Sequence, residues 1–447
     1  MFRISDFGFR IFSAGGAILL LLLVLFAARP LSAANLIPTP EFAGHEIPEA
    51  QHPAARSQQS EWLDVAALAA GIALASYLAL GRRSRRGLLL LAVASVAWLG
   101  FWRKGCICPI GAIQNVTMGL FDPGYVVPAA VAMFSLPLVA TLFFGRTFCA
   151  AVCPLGAVQE LAAVRPVRVP PWLDQALGLL AYVYLGAAVL FAATGCGFVI
   201  CRYDPFVGLF RLSAGLDMLI LTGGFLVLGM FVGRPYCRYL CPYGAILGVL
   251  SRLARWRVRI PPQECIQCRL CEDACPYGAI RQPTVAPSSD RLRRWRWLLT
   301  TWIVLVPGLV ALGAVLGRQM ETPLARVHPT IRLAERVWLE NQALVEDTTE
   351  ASEAFRNSGQ PAAKLYAQAG QISRQIGAGG GWLGAWVGLV IGLKLIHLAI
   401  RRRRTDYQPD PINCVACGRC FWYCPSEQAR QGWIQQPAGE KETLKLE

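Results

Sequence analysis

The chain has 447 residues and a formal net charge of +15, with 55% apolar and only 16% charged residues. A soluble protein carries about a quarter charged residues, so this composition excludes an ordinary soluble enzyme, and its apolar content excludes a disordered chain. In a chain with apolar runs long enough to cross a bilayer, positive charge points to basic cytoplasmic loops and not to nucleic acid. The 16 cysteines do not suit a secreted disulfide scaffold, which is short and not apolar.

A spanning helix needs about 20 mainly apolar residues. Eight runs are read as spans: 11–29, 63–80, 87–101, 126–144, 172–194, 217–233, 297–317 and 381–400. The segments on one side of this alternation hold 29 of the 43 Lys and Arg residues, among them Arg82, Arg83, Arg85 and Arg86, twelve Arg in 234–296, and Arg401 to Arg404. Basic loops stay in the cytoplasm. The expected fold is an all-α polytopic protein of the bacterial inner membrane, with about eight transmembrane helices and both termini cytoplasmic. Residues 1–62 form an N-terminal helix and an irregular periplasmic loop. That helix is a membrane anchor or, given Ser32, Ala33 and Ala34 after the apolar run, a secretory signal. Residues 63–260 form the membrane core. The outer segment 318–380 is expected to be helical over 331–376, with Leu333, Val337 and Leu344 on one face.

Two motifs carry the strongest chemical signal. Cys265, Cys268, Cys271 and Cys275 stand at the spacing C-x2-C-x2-C-x3-C-P, and Cys414, Cys417, Cys420 and Cys424 repeat it. This is the bacterial ferredoxin run for a [4Fe–4S] cluster. Four-Cys zinc sites use two separated C-x2-C pairs instead. In two-cluster ferredoxins the fourth Cys serves the other cluster, so Cys265, Cys268, Cys271 and Cys424 are expected to hold one cluster and Cys414, Cys417, Cys420 and Cys275 the second. The two halves, 261–290 and 405–447, are separated by the spans 297–317 and 381–400 and the outer segment. Two crossings return the chain to the same side, which permits one folded unit.

The other eight cysteines fall in an internal repeat. Cys149 and Cys153 lie in "GRTFCAAVCPLGA", and Cys237 and Cys241 in "GRPYCRYLCPYGA". Both pairs follow a span at its cytoplasmic end, and together they supply the four thiolates of a third [4Fe–4S] cluster. Cys106 and Cys108, then Cys196 and Cys201, fall on the opposite side. They form either a periplasmic-side metal centre or disulfides. Haem is disfavoured, because only one of four His residues, His397, lies in a span and no C-x-x-C-H occurs.

The paired "CPxGA" segments after spans, followed by a ferredoxin motif, resemble the NosR- and NapH-like polyferredoxin membrane proteins over 85–285 and 405–430. The architecture looks closer to NosR, although residues 30–62 are far too short for the N-terminal periplasmic flavin-binding domain of that protein. The resemblance implies transmembrane electron transfer between cytoplasmic or quinone-pool donors and a periplasmic redox partner. The alternatives are a quinol dehydrogenase subunit of the NapH kind, and a redox assembly or regulatory protein for a respiratory metalloenzyme. No catalytic residue is assigned. The partners expected are membrane lipid, redox proteins on both sides and quinone.

Overall fold

The computed structural model describes residues 57–105, 109–121, 128–213, 215–260, 265–284, 289–345, 347–400 and 404–434. The run at 11–29 lies outside them. Helix α1, Gln58–Ser76, is capped by Ser57, whose side chain accepts the Ser60 N–H, and continues as a π-turn over Tyr77–Gly81. Ser84 likewise caps α2, Arg85–Ser95, which runs on as a π-turn over Val96–Trp102. The next elements are α3, Pro109–Phe121, and α4, Pro128–Phe144. A one-turn helix α5, Thr147–Ala151, then leads to α6, Pro154–Ala162. Helices α7, Pro171–Leu177, and α8, Leu180–Ala193, together make one span. The short helices α9, Val199–Tyr203, and α10, Pro205–Arg211, precede α11, Leu216–Phe231. After it come α12, Pro235–Tyr239, and α13, Pro242–Leu250.

Among the described residues five helices are long and apolar enough to cross a membrane, or six if α10 and α11 count as one bent span. Spans expected at 63–80, 87–101, 172–194, 297–317 and 381–400 correspond to these five. The runs at 126–144 and 217–233 take a different form. Helix α4 is 17 residues long with Pro137 inside it, and α11 meets α10 at 110°. Both stop where a cysteine pair begins. After α4 the chain passes Gly145 at φ 69°, and after α11 it passes Arg234 at φ 48°. Each time a one-turn helix then presents the first Cys, and the second Cys precedes a proline at the start of the next helix, where a missing N–H costs nothing.

The ferredoxin halves contain α14, Leu270–Asp273, and the two-residue strand β1, Ile280–Arg281. Two long helices follow, α15, Ser289–Gln319, and α19, Ala362–Ala399, with α16, Glu321–Ala325, α17, Pro329–Asn341, and α18, Glu350–Asn357, between them. Val337 of α17 packs on Leu365 of α19 with Leu333 alongside, while Leu344 lies beyond the end of α17 and is exposed. Helices α15 and α19 pair antiparallel along glycines. A Cβ on Gly384 would overlap the Gly313 carbonyl oxygen, and one on Gly317 that of Gly380. Only glycine permits backbones this close, the device by which helices associate where lipid offers no hydrophobic drive. The pair returns the chain to its starting level. There Thr284 N–H donates to the Arg404 carbonyl at 2.9 Å, and β1 pairs antiparallel with β2, Gln408–Pro409. Helices α20, Arg419–Tyr423, and α21, Pro425–Arg430, complete the chain's described part. The protein is an all-α, multi-spanning membrane protein with a ferredoxin-like unit split over two segments.

Candidate iron–sulfur centres

In each ferredoxin half the loop folds back on itself at two left-handed residues, Gln267 and Arg269 in the first, Ala416 and Gly418 in the second. They stand at equivalent places and turn three thiols toward one volume. Cys265, Cys268, Cys271 and Cys424 line a single small cavity, walled by Ile260 and Tyr407. Cys275 lies with Cys414 and Cys417 around the buried Tyr277 and Val415, and Cys420 is within electrostatic reach of all three. The fourth Cys of each half thus lies among the first three of the other. Burial pushes the thiols upward, Cys271 and Cys417 to about 11 and Cys414 to about 12. Bare thiols here would stay protonated at neutral pH, whereas bound iron would favour the thiolates. The donor chemistry fits iron–sulfur ligation. No three Cys, His, Asp or Glu side chains among the described residues are grouped to hold one metal ion.

The four inner cysteines also come together. Cys149 on α5, Cys153 before α6, Cys237 on α12 and Cys241 before α13 belong to one packed core with Leu155, Tyr236 and Leu247. The Gly244 N–H donates to Cys241 Sγ at 3.2 Å, and Gln159 Nε2 donates to Cys237 Sγ at 3.2 Å. The repeated G-R and C-P-x-G-A motifs interlock. A Cβ on Gly156 would lie 3.1 Å from Arg234 Nη1, and one on Gly244 3.3 Å from Arg146 Nη2. Each repeat's arginine fills the space left by the other's glycine.

The basic loop after α1 and the first turn of α2 grip the second ferredoxin half. Arg83 forms an ion pair with Glu427 at 2.9 Å and stacks over Phe421, and Arg86 stacks over Trp422. Arg85 Nη1 donates to the Cys417 carbonyl at 3.1 Å. Sequence reading assigned these arginines to orientation alone. It also passed over Gln159 and Glu160, although two polar residues in an otherwise apolar repeat were a visible signal.

On the opposite side, Cys196 is half-buried beside Thr194 Oγ1, and Cys201 is exposed. A Cβ on Gly111 would lie 3.2 Å from Cys201 Sγ, and Ile200 N–H donates to Gln114 at 3.0 Å, so α9 packs on the start of α3. Cys106 and Cys108 lie outside the described residues. No disulfide joins the described cysteines.

Comparison with known proteins places the segments that carry these cysteines. Residues 126–179 and 214–261 match a family model described as a 4Fe-4S binding domain, and residues 258–281 match a second model of that description. Protein NirI of Paracoccus denitrificans is 30% identical over 58% of this chain and 43% of its own length. YccM of Escherichia coli is 30% identical over 38% of this chain and 52% of its own length. Regulatory protein NosR of Pseudomonas aeruginosa is 27% identical over 44% of this chain and 30% of its own length. The chain therefore spans about half or less of these relatives, and the expected closeness to NosR over the others is not seen. No solved structure matches. The 4Fe-4S binding domains and these relatives make the chain a homologue of the NosR- and NapH-like polyferredoxin family of 4Fe-4S membrane proteins.

Proposed function

We propose that the protein carries electrons across the membrane, between a donor at the ferredoxin face and a redox protein at the opposite face. The observation that carries this reading is the contiguity of the thiol sets. Cys149 of the membrane core packs on the same buried group, Tyr277, Ala279 and Val415, as Cys275, Cys414 and Cys417. Cys265, Cys268, Cys271 and Cys424 would hold one [4Fe–4S] cluster, Cys414, Cys417, Cys420 and Cys275 a second, and Cys149, Cys153, Cys237 and Cys241 a third. The match of a 4Fe-4S binding domain to the two segments bearing the inner pairs supports the third. Bound in these sites, a cluster supplies a one-electron store. The chain's own part is to exclude water with Tyr277 and Val415, to hydrogen-bond the sulfurs through Gln159 and Gly244, and to offset thiolate charge with Arg146 and Arg234. Cys106, Cys108, Cys196 and Cys201 would form the exit on the periplasmic side, in a topology of eight spans with both termini cytoplasmic.

A second reading, quinol oxidation, is favoured by one cavity. Beside Cys237 and Cys241 a partly open cavity of about 100 Å³ lies between α7 and α19, lined by Asp174, Tyr182, Arg238 and Lys394. The cavities at the ferredoxin thiols measure about 20 Å³ each, so this one offers more room beside the thiols.

Reconstitution in liposomes separates the readings. With a reductant at the ferredoxin face and an impermeant acceptor at the other, the wild-type protein should pass electrons and Cys237→Ser should not. Equal transfer by both would remove the proposed route. Reduction that depends on added quinol and stops with a quinone-site inhibitor would favour the second reading.

A further inference from the structure

Overlaying the two C-P-x-G-A segments pairs Glu160 with Gly248. At Gly248 the second repeat is bare, and the ferredoxin unit sits directly on it. A Cβ there would lie 3.3 Å from Ile412 Cγ2, and Arg146 Nη1 donates to the Ile412 carbonyl at 2.6 Å. At Glu160 the first repeat offers a buried carboxylate instead, 5% exposed.

Four segments far apart in sequence meet on that carboxylate. Its Oε1 accepts from Arg85 Nη2 at 3.2 Å and Arg419 Nε at 3.0 Å. Its Oε2 accepts from Arg234 Nε at 3.1 Å and Tyr277 Oη at 2.5 Å. Each donor reaches a cysteine segment. Arg85 also binds the Cys417 carbonyl, and Arg234 also binds the carbonyls of Cys149 and Ala150. Tyr277 follows Cys275 by two residues, and Arg419 lies between Cys417 and Cys420. A charge this buried persists only when its partners saturate it. Burial would raise the carboxyl, but Arg234, Arg419, Tyr277 and Arg85 outweigh it and hold it at about 2.

We propose that Glu160 is the positioning residue of the junction between the membrane core and the ferredoxin unit. It fixes the Cys149 and Cys417 segments at one separation and sets the charge that both thiol sets feel, one carboxylate against three guanidinium groups. The proposal rests on the reading that both sets hold clusters.

Glu160→Gln keeps the side chain's size and removes its charge. The reduction potential of the cluster at Cys275, Cys414, Cys417 and Cys420 should shift upward, because a more positive surrounding favours the reduced form. Hydrogen exchange over 410–424 should accelerate about tenfold, the effect of losing one charge-assisted hydrogen bond. Adding Arg419→Gln restores the charge balance and should bring the potential back while exchange stays fast. Should Glu160→Gln fail to fold, Tyr277→Phe removes one donor without altering charge and should accelerate exchange over 275–281. A wild-type potential and wild-type exchange in Glu160→Gln, or unchanged exchange in Tyr277→Phe, overturns the proposal. Iron and sulfide analysis of the wild type tests the parent reading separately. Loss of no iron in Cys149→Ser would sink that reading and this one with it, whereas full clusters with an unmoved potential in Glu160→Gln sink this one alone.

Discussion

Gln159→Leu removes a hydrogen bond to a sulfur together with two contacts to the backbone. Gln159 is fully buried. Its Nε2 donates to Cys237 Sγ at 3.2 Å and to the Leu155 carbonyl at 2.9 Å, and its Oε1 accepts from the Tyr236 N–H at 3.1 Å. The last contact fixes which way the amide points, since the opposite orientation would set two N–H groups against each other. The second repeat carries the buried Leu247 at the equivalent place, so leucine suits this fold. A hydrogen bond to a charged group is worth about 1.5–3 kcal/mol. Only the difference between the two oxidation states enters the potential, and about half of the larger figure, ~1.4 kcal/mol, corresponds to about 59 mV for one electron. The donor stabilises the more negative, reduced form. Its removal should therefore lower the potential of the cluster proposed at the four inner cysteines, by about 30–60 mV. The assay is an EPR-monitored redox titration, with the signal assigned by its loss in Cys237→Ser. A shift smaller than about 10 mV, or an upward one, would refute the reasoning.

Three further outcomes are expected. Cys424→Ser should damage the cluster served by Cys265, Cys268 and Cys271 and spare that of Cys414, Cys417 and Cys420; the reverse pattern in EPR would mean each half holds its own cluster. Gly384→Leu forces a side chain onto the Gly313 backbone, where overpacking costs about 1–3 kcal/mol or more. It should lower iron content and thermal stability, and unchanged values would show that α15 and α19 do not touch. Reporter fusions within 318–380 should read periplasmic, and a cytoplasmic signal would reverse the orientation drawn from Lys and Arg.

What the sequence disclosed was what local spacing encodes. The thiol sets follow from C-x2-C-x2-C-x3-C-P and C-x3-C-P, and five spans follow from run length, because both patterns are complete within about 20 residues. At 126–144 and 217–233 run length located the helices Pro128–Phe144 and Leu216–Phe231 and not their ends, since it counts apolar residues and is blind to where Gly145 or Arg234 turns the chain toward a cysteine pair. The partners of Glu160 were hidden for a related reason. Its donors lie 75, 74, 117 and 259 residues away along the chain, and no periodicity reports such a meeting. The arginines at 82–86 illustrate a residue type with two uses, since the charge that orients the loop also stacks on Phe421 and Trp422.

The split of the ferredoxin unit across α15 and α19 has a consequence for biosynthesis. The second half emerges about 150 residues after the first. At about 5–20 residues per second of synthesis, this leaves Cys265, Cys268 and Cys271 without Cys424 for about 8–30 s. During that interval two helices must enter the bilayer and pair along their glycines before β1 meets β2. Iron delivered too early would find an incomplete set of thiols. On the proposed crossed ligation, cofactor loading would be tied to completed insertion, and a nascent chain whose last helix fails to insert would carry the defect as a missing cluster.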